Sequence, residues 1–486
     1  MHSINMQLRL LPTLLCATSL LVGLRSQQEG LQPITEARLR EAYAASLAAC
    51  AKAFGKELDP AVPLAFASRE EIAEVVTREN LPLVKLRVAD EEAAMAEARQ
   101  LSDKLAEGVY GKFSWADQKF LVVLGAWEQH AKSLAMPELT TDAALRAVMV
   151  HELCHAYDDR RFGFAERLAT ADSRDAIVAI NAVIEGSAQL QSRRICGQND
   201  WLPGFEAMRE AVGKIPATVL AQGEAVALIA RGAAAATTFA YHDGERFVES
   251  VLAADPKGGH ERLFRTPPRE EELILNPAWY LDPASRPAVL YDLKPAFDVL
   301  LAAHDPEVWS EVRSQTTAQQ IAAGMTLLPK ASVDAFSASV RNAAIAQFTY
   351  KANPQAKMVI GAVLEFDSEA SAARWLDLAD QLSNLKDQAM KKGQVRIVGS
   401  ERKELVLPTS RGLLFRKHMK AGLFKFDVVS IDMQRGRIVV ETILSGDPLP
   451  DEEHGRLVAA MLDAVRLRVE AKDGAAERKE GEGGGR

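Results

Sequence analysis

The chain has 486 residues, a formal net charge of −8, 48% hydrophobic and 26% charged residues. This is ordinary globular composition, so wholesale disorder, a collagen-like fibre and a multi-span membrane protein are excluded. The mild acidity argues against a general nucleic-acid binder, and the 6% aromatic content argues against a stacking platform for sugars or single strands.

Arg9 precedes an apolar run from Leu10 to about Leu24. A basic start and a short apolar stretch predict a secretory signal peptide over residues 1–26. The run is short for a membrane span, which takes about 20 apolar residues. A lipoprotein anchored through Cys16 and an uncleaved anchor are the rival readings. No other segment approaches spanning length, so the expected location is periplasmic or extracellular, without stable membrane insertion after cleavage. At the other end, residues 471–486 are Gly-rich and charged, with nothing to bury, and predict a disordered tail.

Between these ends the pattern is mainly helical. Alanine-rich spacing predicts a helix from Thr35 to Gly55. Leu64–Ala67 reads as a short strand, and Ser68 with its acidic first turn starts a second helix. A third runs from Glu91 to Glu107, followed by a strong strand from Lys119 to Gly125. Thr140, Thr141 and Asp142 start a helix that continues to about Asp159. Further helices are expected over Asp172–Arg194 and, with glycine interruptions, over Trp201–Ala235. Composition shifts near Pro329 towards strands: Met358–Phe366, Val395–Ile397, Leu413–Lys417, Phe424–Ile431 and Ile438–Leu444. Two helices interleave, from Ser368 to about Lys391 and from Asp451 to about Arg468, and a hairpin turns near Arg435-Gly436. The expected fold class is α+β. A segment over 27–107 packs on a unit over 108–329, and a sheet with helices on one face follows over 330–470.

Residues 151–155 read His-Glu-Leu-Cys-His. The flanks continue a helix, so His151 and His155 lie one turn apart on one face and converge on one ion. Glu152 sits beside that ion. It is placed to act as general base on a water activated by zinc. A chance HExxH is expected on the order of once in a hundred such chains, so the functional reading outweighs two solvated histidines. Catalytic zinc needs a third protein ligand and one open position. Glu185 supplies it: the carboxylate sits among Ala182, Val183, Ile184 and Ala188 in the next helix, where an unpartnered charge is costly. Glu166 is the competing ligand, in a loop without that apolar setting. Cys50, Cys154 and Cys196 form no CxxC pair; a Cys50–Cys196 disulfide is open on sequence alone.

HExxH followed by a Glu-Gly helix resembles the gluzincin, or peptidase MA-like, pattern. Several segments resemble a bacterial exported subgroup of zinc metallopeptidases. HELCHAYDDR stands where that subgroup has HELxHALQDQ, and IEGSA, from Ile184 to Ala188, stands where it has VEGDA. AYHDGERFV (Ala240–Val248) and PPREEELILNPAWY (Pro267–Tyr280) match two later segments. The resemblance spans roughly Gly108 to Tyr280. It implies a zincin-like catalytic unit with a small edge sheet, one zinc on His151, His155 and Glu185, and a peptide or protein substrate. It also makes Tyr241 a candidate donor to the oxyanion, with His242 beside it as another, while Asp159, four residues after His155 on the same face, is a candidate acceptor for a ring N–H of a ligand histidine. The strand Phe120–Leu124 reads first as an ordinary core strand and second as the cleft edge for an extended substrate. Ser187, Asn276 and Asp158-Asp159-Arg160 depart from the subgroup. They carry the alternative reading, a catalytically weak or silent zincin scaffold whose C-terminal domain does the recognition. A third reading is zinc-assisted hydrolysis of another amide.

Overall fold

The computed structural model describes residues 30–467, apart from 59, 86–90, 172, 222–223, 316–317, 352–356, 392–394 and 447–448. The expected signal segment, the tail and Asp172 lie outside the described residues. Among those described, no helix is long and apolar enough to cross a membrane.

The first half is built on helices. In chain order it runs α1 (Glu36–Phe54), β1 (Leu64–Phe66), α2 (Arg69–Lys85), α3 (Glu91–Gly108), β2 (Gly111–Ser114) and β3 (Lys119–Val122). Then come α4 (Ala126–Leu134), α5 (Asp142–Phe162), α6 (Phe164–Ala169), α7 (Arg174–Gly197), α8 (Leu202–Ala211), α9 (Ala217–Leu220) and α10 (Glu224–Thr238). After a π-helical turn at Phe239–Asp243 follow α11 (Gly244–Ala254), α12 (Gly259–Arg265), α13 (Glu271–Leu275) and α14 (Pro277–Leu281). Helix α5 starts where Thr141 caps Ala144 N–H, and α7 where Ser173 caps Ala176 N–H. One apolar cluster joins α1, the strands, α5 and α8, with Leu145, Met149, Leu153 and Phe205 fully buried. A second lies on α7, α11 and α12 around Val183, Phe247 and Phe264.

The small sheet has the order β1-β3-β2, parallel on one side and antiparallel on the other. The strand within Phe120–Leu124 is therefore the central one, in line with the core reading and not the cleft-edge one. Both of its edges are taken, and β2 is an outer strand.

The second half begins with β4 (Tyr291–Asp292) and α15 (Lys294–Ala302), then β5 (Trp309–Gln315), α16 (Ala318–Ala323) and α17 (Lys330–Ser339). It continues with β6 (Val340–Tyr350), β7 (Met358–Phe366), α18 (Glu369–Ala389), β8 (Val395–Leu407), β9 (Ser410–Ala421), β10 (Phe424–Arg435), β11 (Ile438–Gly446), α19 (Asp451–Ala464) and β12 (Arg466–Leu467). Seven antiparallel strands form one sheet in the order β5-β6-β7-β11-β10-β9-β8. The expected hairpin is present: Arg435 pairs with Ile438 across a turn in which Gly436 takes φ 55°. Helices cover both faces rather than one. α15 and α19 pack on Val359, Val363 and Val440, while α16, α17 and α18 pack on Ala362, Leu364 and Val439. The reason lies in β7, an apolar run buried on both sides. The apolar cores separate between Tyr280 and Leu293, ahead of the composition shift at Pro329. The buried Glu365 carboxylate bridges that junction, accepting the N–H groups of Leu290 at 3.0 Å and Tyr291 at 3.2 Å. The fold class is α+β.

Asp175, at the start of α7, is buried and accepts the Glu271 N–H at 2.8 Å. Burial, with the charges of Glu271, Glu270 and Glu272, pushes its carboxyl up to about 8. The folded chain thus holds a proton that the unfolded chain releases near the ordinary value of 3.8. The stabilisation is full below that value and is lost as pH rises towards about 8, at no more than about 1.4 kcal/mol per pH unit. Asp175→Asn keeps the acceptor and removes the titration. Urea midpoints at pH 5, 7 and 9 are expected to fall less steeply in this variant than in the wild type.

Candidate metal centre

Helices α5 and α7 cross so that three side chains converge. His151 and His155, one turn apart on α5, hold their rings edge to face, with centroids 4.6 Å apart. Glu185 reaches in from α7. Its Oε2 lies 3.3 Å from Nε2 of His151 and 3.4 Å from Nε2 of His155. One ligand atom from each of the three lies within 4.8 Å of the others. Two ligands about 2.0–2.1 Å from a tetrahedral zinc stand roughly 3.4 Å apart. A direct charge-assisted hydrogen bond would be shorter, about 2.7–2.9 Å. The two Glu185 contacts match the edge of a coordination tetrahedron better than a hydrogen-bonded pair. Both imidazoles are buried and Glu185 is 17% exposed, so the cluster opens on the carboxylate side.

The electrostatics fit a cation at this point. Burial alone would raise the Glu185 carboxyl, but the imidazoles of His155 and His151 outweigh it and hold it well below the usual carboxylate range. Burial likewise pulls His155 down, and the neighbouring carboxylate of Glu185 reverses it upward. The Glu185 carboxylate is thus held in the charged form that a cation needs.

Glu152 is next to His151 and accepts the Phe113 N–H of β2 at 2.6 Å. Its charge acts on His155, Lys112, Tyr110 and Tyr241, which places it in the same small volume. Tyr241 lies in the π-helical turn, a distortion that often marks functional positions. Its ring stacks on His151 at a centroid distance of 5.6 Å and an angle of 12°. Burial first, then Glu185 and Glu152, push its hydroxyl well above the usual range, so it stays a proton donor.

Two expected residues are placed otherwise. Asp159 does not receive an imidazole N–H. Its Oδ2 accepts Gln118 Nε2 at 2.6 Å and its Oδ1 accepts Phe164 N–H at 2.8 Å, which ties the end of α5 to α6. The Nδ1 atoms of His151 and His155 are buried without a protein hydrogen-bond partner. The charge of His242 acts on Asp243 and Glu245, and its Nε2 is buried without a hydrogen-bond partner. Glu166, the competing ligand, has a side chain 78% exposed. Cys50, Cys154 and Cys196 are buried free thiols, so the Cys50–Cys196 bridge is absent.

Other residues the sequence reading passed over matter here. Lys112 on β2 pairs with the buried Glu79 at 2.8 Å. Burial works against its charge, yet Glu79, Glu152 and Glu185 together raise it. The signal was available: Ile72, Val75, Val76 and Glu79 share one helical stripe, and a carboxylate on an apolar stripe asks for a buried partner. Ser187 also has a structural account. Its Oγ donates to Asp158 Oδ2 at 2.7 Å, and Gln191 Nε2 donates to the same oxygen at 3.0 Å. Nε2 of His260 sits 3.0 Å from Asp158 Oδ1 and 3.3 Å from Ser187 Oγ. Ser187, His260 and Asp158 are not a nucleophilic triad, because His260 meets both partners through Nε2 and Ser187 is 1% exposed. Asn276 Nδ2 donates to Glu272 O at 3.0 Å and closes the end of α13.

No family model matches the chain, and no curated protein does. Among solved structures, an uncharacterized protein from Mycobacterium smegmatis is similar at 12% identity and a TM-score of 0.21, over 36% of this chain and 96% of that one. A likeness this slight carries nothing about fold or activity.

Proposed function

We propose that the chain is an exported zinc-dependent hydrolase of peptide bonds, with zinc held by His151, His155 and Glu185. The observation that carries the reading is the pair of 3.3 and 3.4 Å contacts from one Glu185 oxygen to two Nε2 atoms, inside an HExxH helix crossing. When bound, zinc supplies Lewis acidity towards a carbonyl and acidifies water. The chain's own residues supply the rest. Glu152, oriented by the Phe113 N–H, takes the proton of the attacking water and returns it to the leaving nitrogen. Tyr241, held against His151, donates its hydroxyl proton in a hydrogen bond to the carbonyl oxygen as negative charge grows there. Export rests on the Arg9 and Leu10–Leu24 segment alone.

A second reading, a zincin-like scaffold with little or no catalysis, has one observation behind it: neither ligand imidazole has a protein acceptor at Nδ1, where metal-binding histidines usually have one. Elemental analysis and peptide-library cleavage separate the two. The expected result is one zinc per chain, lost in His151→Ala, with cleavage that a chelator abolishes. Zinc retained in His151→Ala, or no zinc at all, overturns the metal centre. Zinc without cleavage leaves the scaffold.

A further inference from the structure

We propose that the cavity at the far end of α5 is a binding site for a compact oxyanion, a carboxylate or a phosphate. The cavity is about 280 Å³ and is lined by Arg160, Arg161, Arg167 and Arg265, with Asp159 and Glu166 at its wall. Glu261 pairs with Arg265 beside the lining, so four guanidiniums meet three carboxylates and one positive charge remains in excess. Planar guanidiniums are the side chains best matched to such anions.

The arginines come from three elements, α5, α6 and α12, and most are pre-positioned. Arg160 donates to the Pro60 carbonyl at 2.7 Å, Arg161 to the Tyr157 hydroxyl at 2.6 Å, and Arg265 to Glu261 at 2.6 Å. Arg160 is thus anchored by a neutral group and keeps its charge uncompensated by that bond. The two acidic wall residues do not neutralise the space. Asp159 spends both oxygens on Gln118 and Phe164, and Glu166 is largely exposed. The pointed observation is Arg167. Its Nε is buried with no hydrogen-bond partner, and the Glu166 carboxylate is 3.6 Å from its Nη2, beyond hydrogen-bond reach. The Arg167 side chain is 26% exposed and lines the cavity, and an oxyanion there supplies the hydrogen bonds that Glu166 does not. The volume admits a compact oxyanion together with water and is small for a drug-sized ligand.

The site does not depend on the metal centre, and its test is run without metal. The full chain, with the neutral chelator 1,10-phenanthroline present, is melted in rising inorganic phosphate and, separately, acetate, against sodium chloride at matched ionic strength. Saturable stabilisation by at least one of the two is expected. Its half-saturation concentration should rise about tenfold in Arg167→Gln and in Arg265→Gln. The Arg265 side chain is 66% exposed, so that variant tests the pocket without threatening the fold. Phosphate alone acting identifies a phosphate-bearing ligand, and acetate acting as well or better identifies a carboxylate. Stabilisation that never exceeds the chloride control, or that is the same in both variants as in the wild type, overturns the proposal.

Discussion

Gly186→Ala is expected to destabilise the protein by about 3 kcal/mol or more, and to take bound metal with it. A Cβ at this position would stand 2.2 Å from the Gly244 carbonyl carbon, 2.3 Å from its oxygen and 2.6 Å from Glu245 N. These are backbone atoms, which cannot swing aside as a side chain does. The contact is reciprocal, since a Cβ on Gly244 would stand 2.2 Å from the Ala182 oxygen. Helices α7 and α11 therefore cross with their backbones in contact, and only glycine at both positions permits it. Relief requires α7 to move, and Glu185 is the neighbouring residue. The carboxylate that must sit 3.3–3.4 Å from both imidazoles would move with the helix. Gly197→Ala is the control, because a Cβ at that position of the same helix meets nothing within 4 Å. Urea unfolding should put the control within about 0.5 kcal/mol of wild type. A Gly186→Ala protein as stable as that control would refute the close crossing.

The same glycine shows what the sequence makes legible and what it conceals. That Ile184 to Ala188 lies on a helix, with Glu185 in an apolar setting, follows from spacing within one segment. So do the start of α5 at its threonine cap and the two histidines on one face. Gly186 meets Gly244, on a helix remote in sequence. Which helix meets which is decided by packing between distant segments, and periodicity is silent on it. The strand Lys119–Val122 is a similar case: its apolar run marks a strand but not its neighbours, and β1 and β2 claim both edges. β6 escaped because Ala343, Ala344 and Ala346 lend a strand the composition of a helix. The two-sided covering of the large sheet was readable, since the unbroken apolar stretch of β7 has no polar face to give to water. Lys112 and His260 were passed over because a lone Lys or His carries no spacing; only the buried acids Glu79 and Asp158 give them meaning.

Glu152→Gln is expected to cut peptide-bond hydrolysis by about 10²- to 10⁴-fold while leaving zinc content and melting temperature close to wild type. The substitution keeps the shape of the side chain. Its Oε1 is still able to accept the Phe113 N–H that now reaches a carboxylate oxygen at 2.6 Å, so β2 and α5 stay joined. The carboxamide has no affinity for a proton at neutral pH, and the transfer from water to the leaving nitrogen is lost. The proposed ligand set, His151, His155 and Glu185, is untouched, which is why metal is expected to remain. His151→Ala gives the opposite pattern, with metal and activity lost together. The contrast between the two variants separates proton transfer from metal binding. Tyr241→Phe lies between them. It keeps the ring stacked on His151 and removes only the hydroxyl, so turnover should fall by about 10²- to 10³-fold with little change in KM or zinc content. Paired kinetics and elemental analysis on the three variants read this out. Were Glu152→Gln to hydrolyse peptides at the wild-type rate with its zinc in place, the base would have to be sought elsewhere. The next carboxylate in reach, Glu185, is already committed to two imidazoles, so the proposed chemistry would have no proton carrier left.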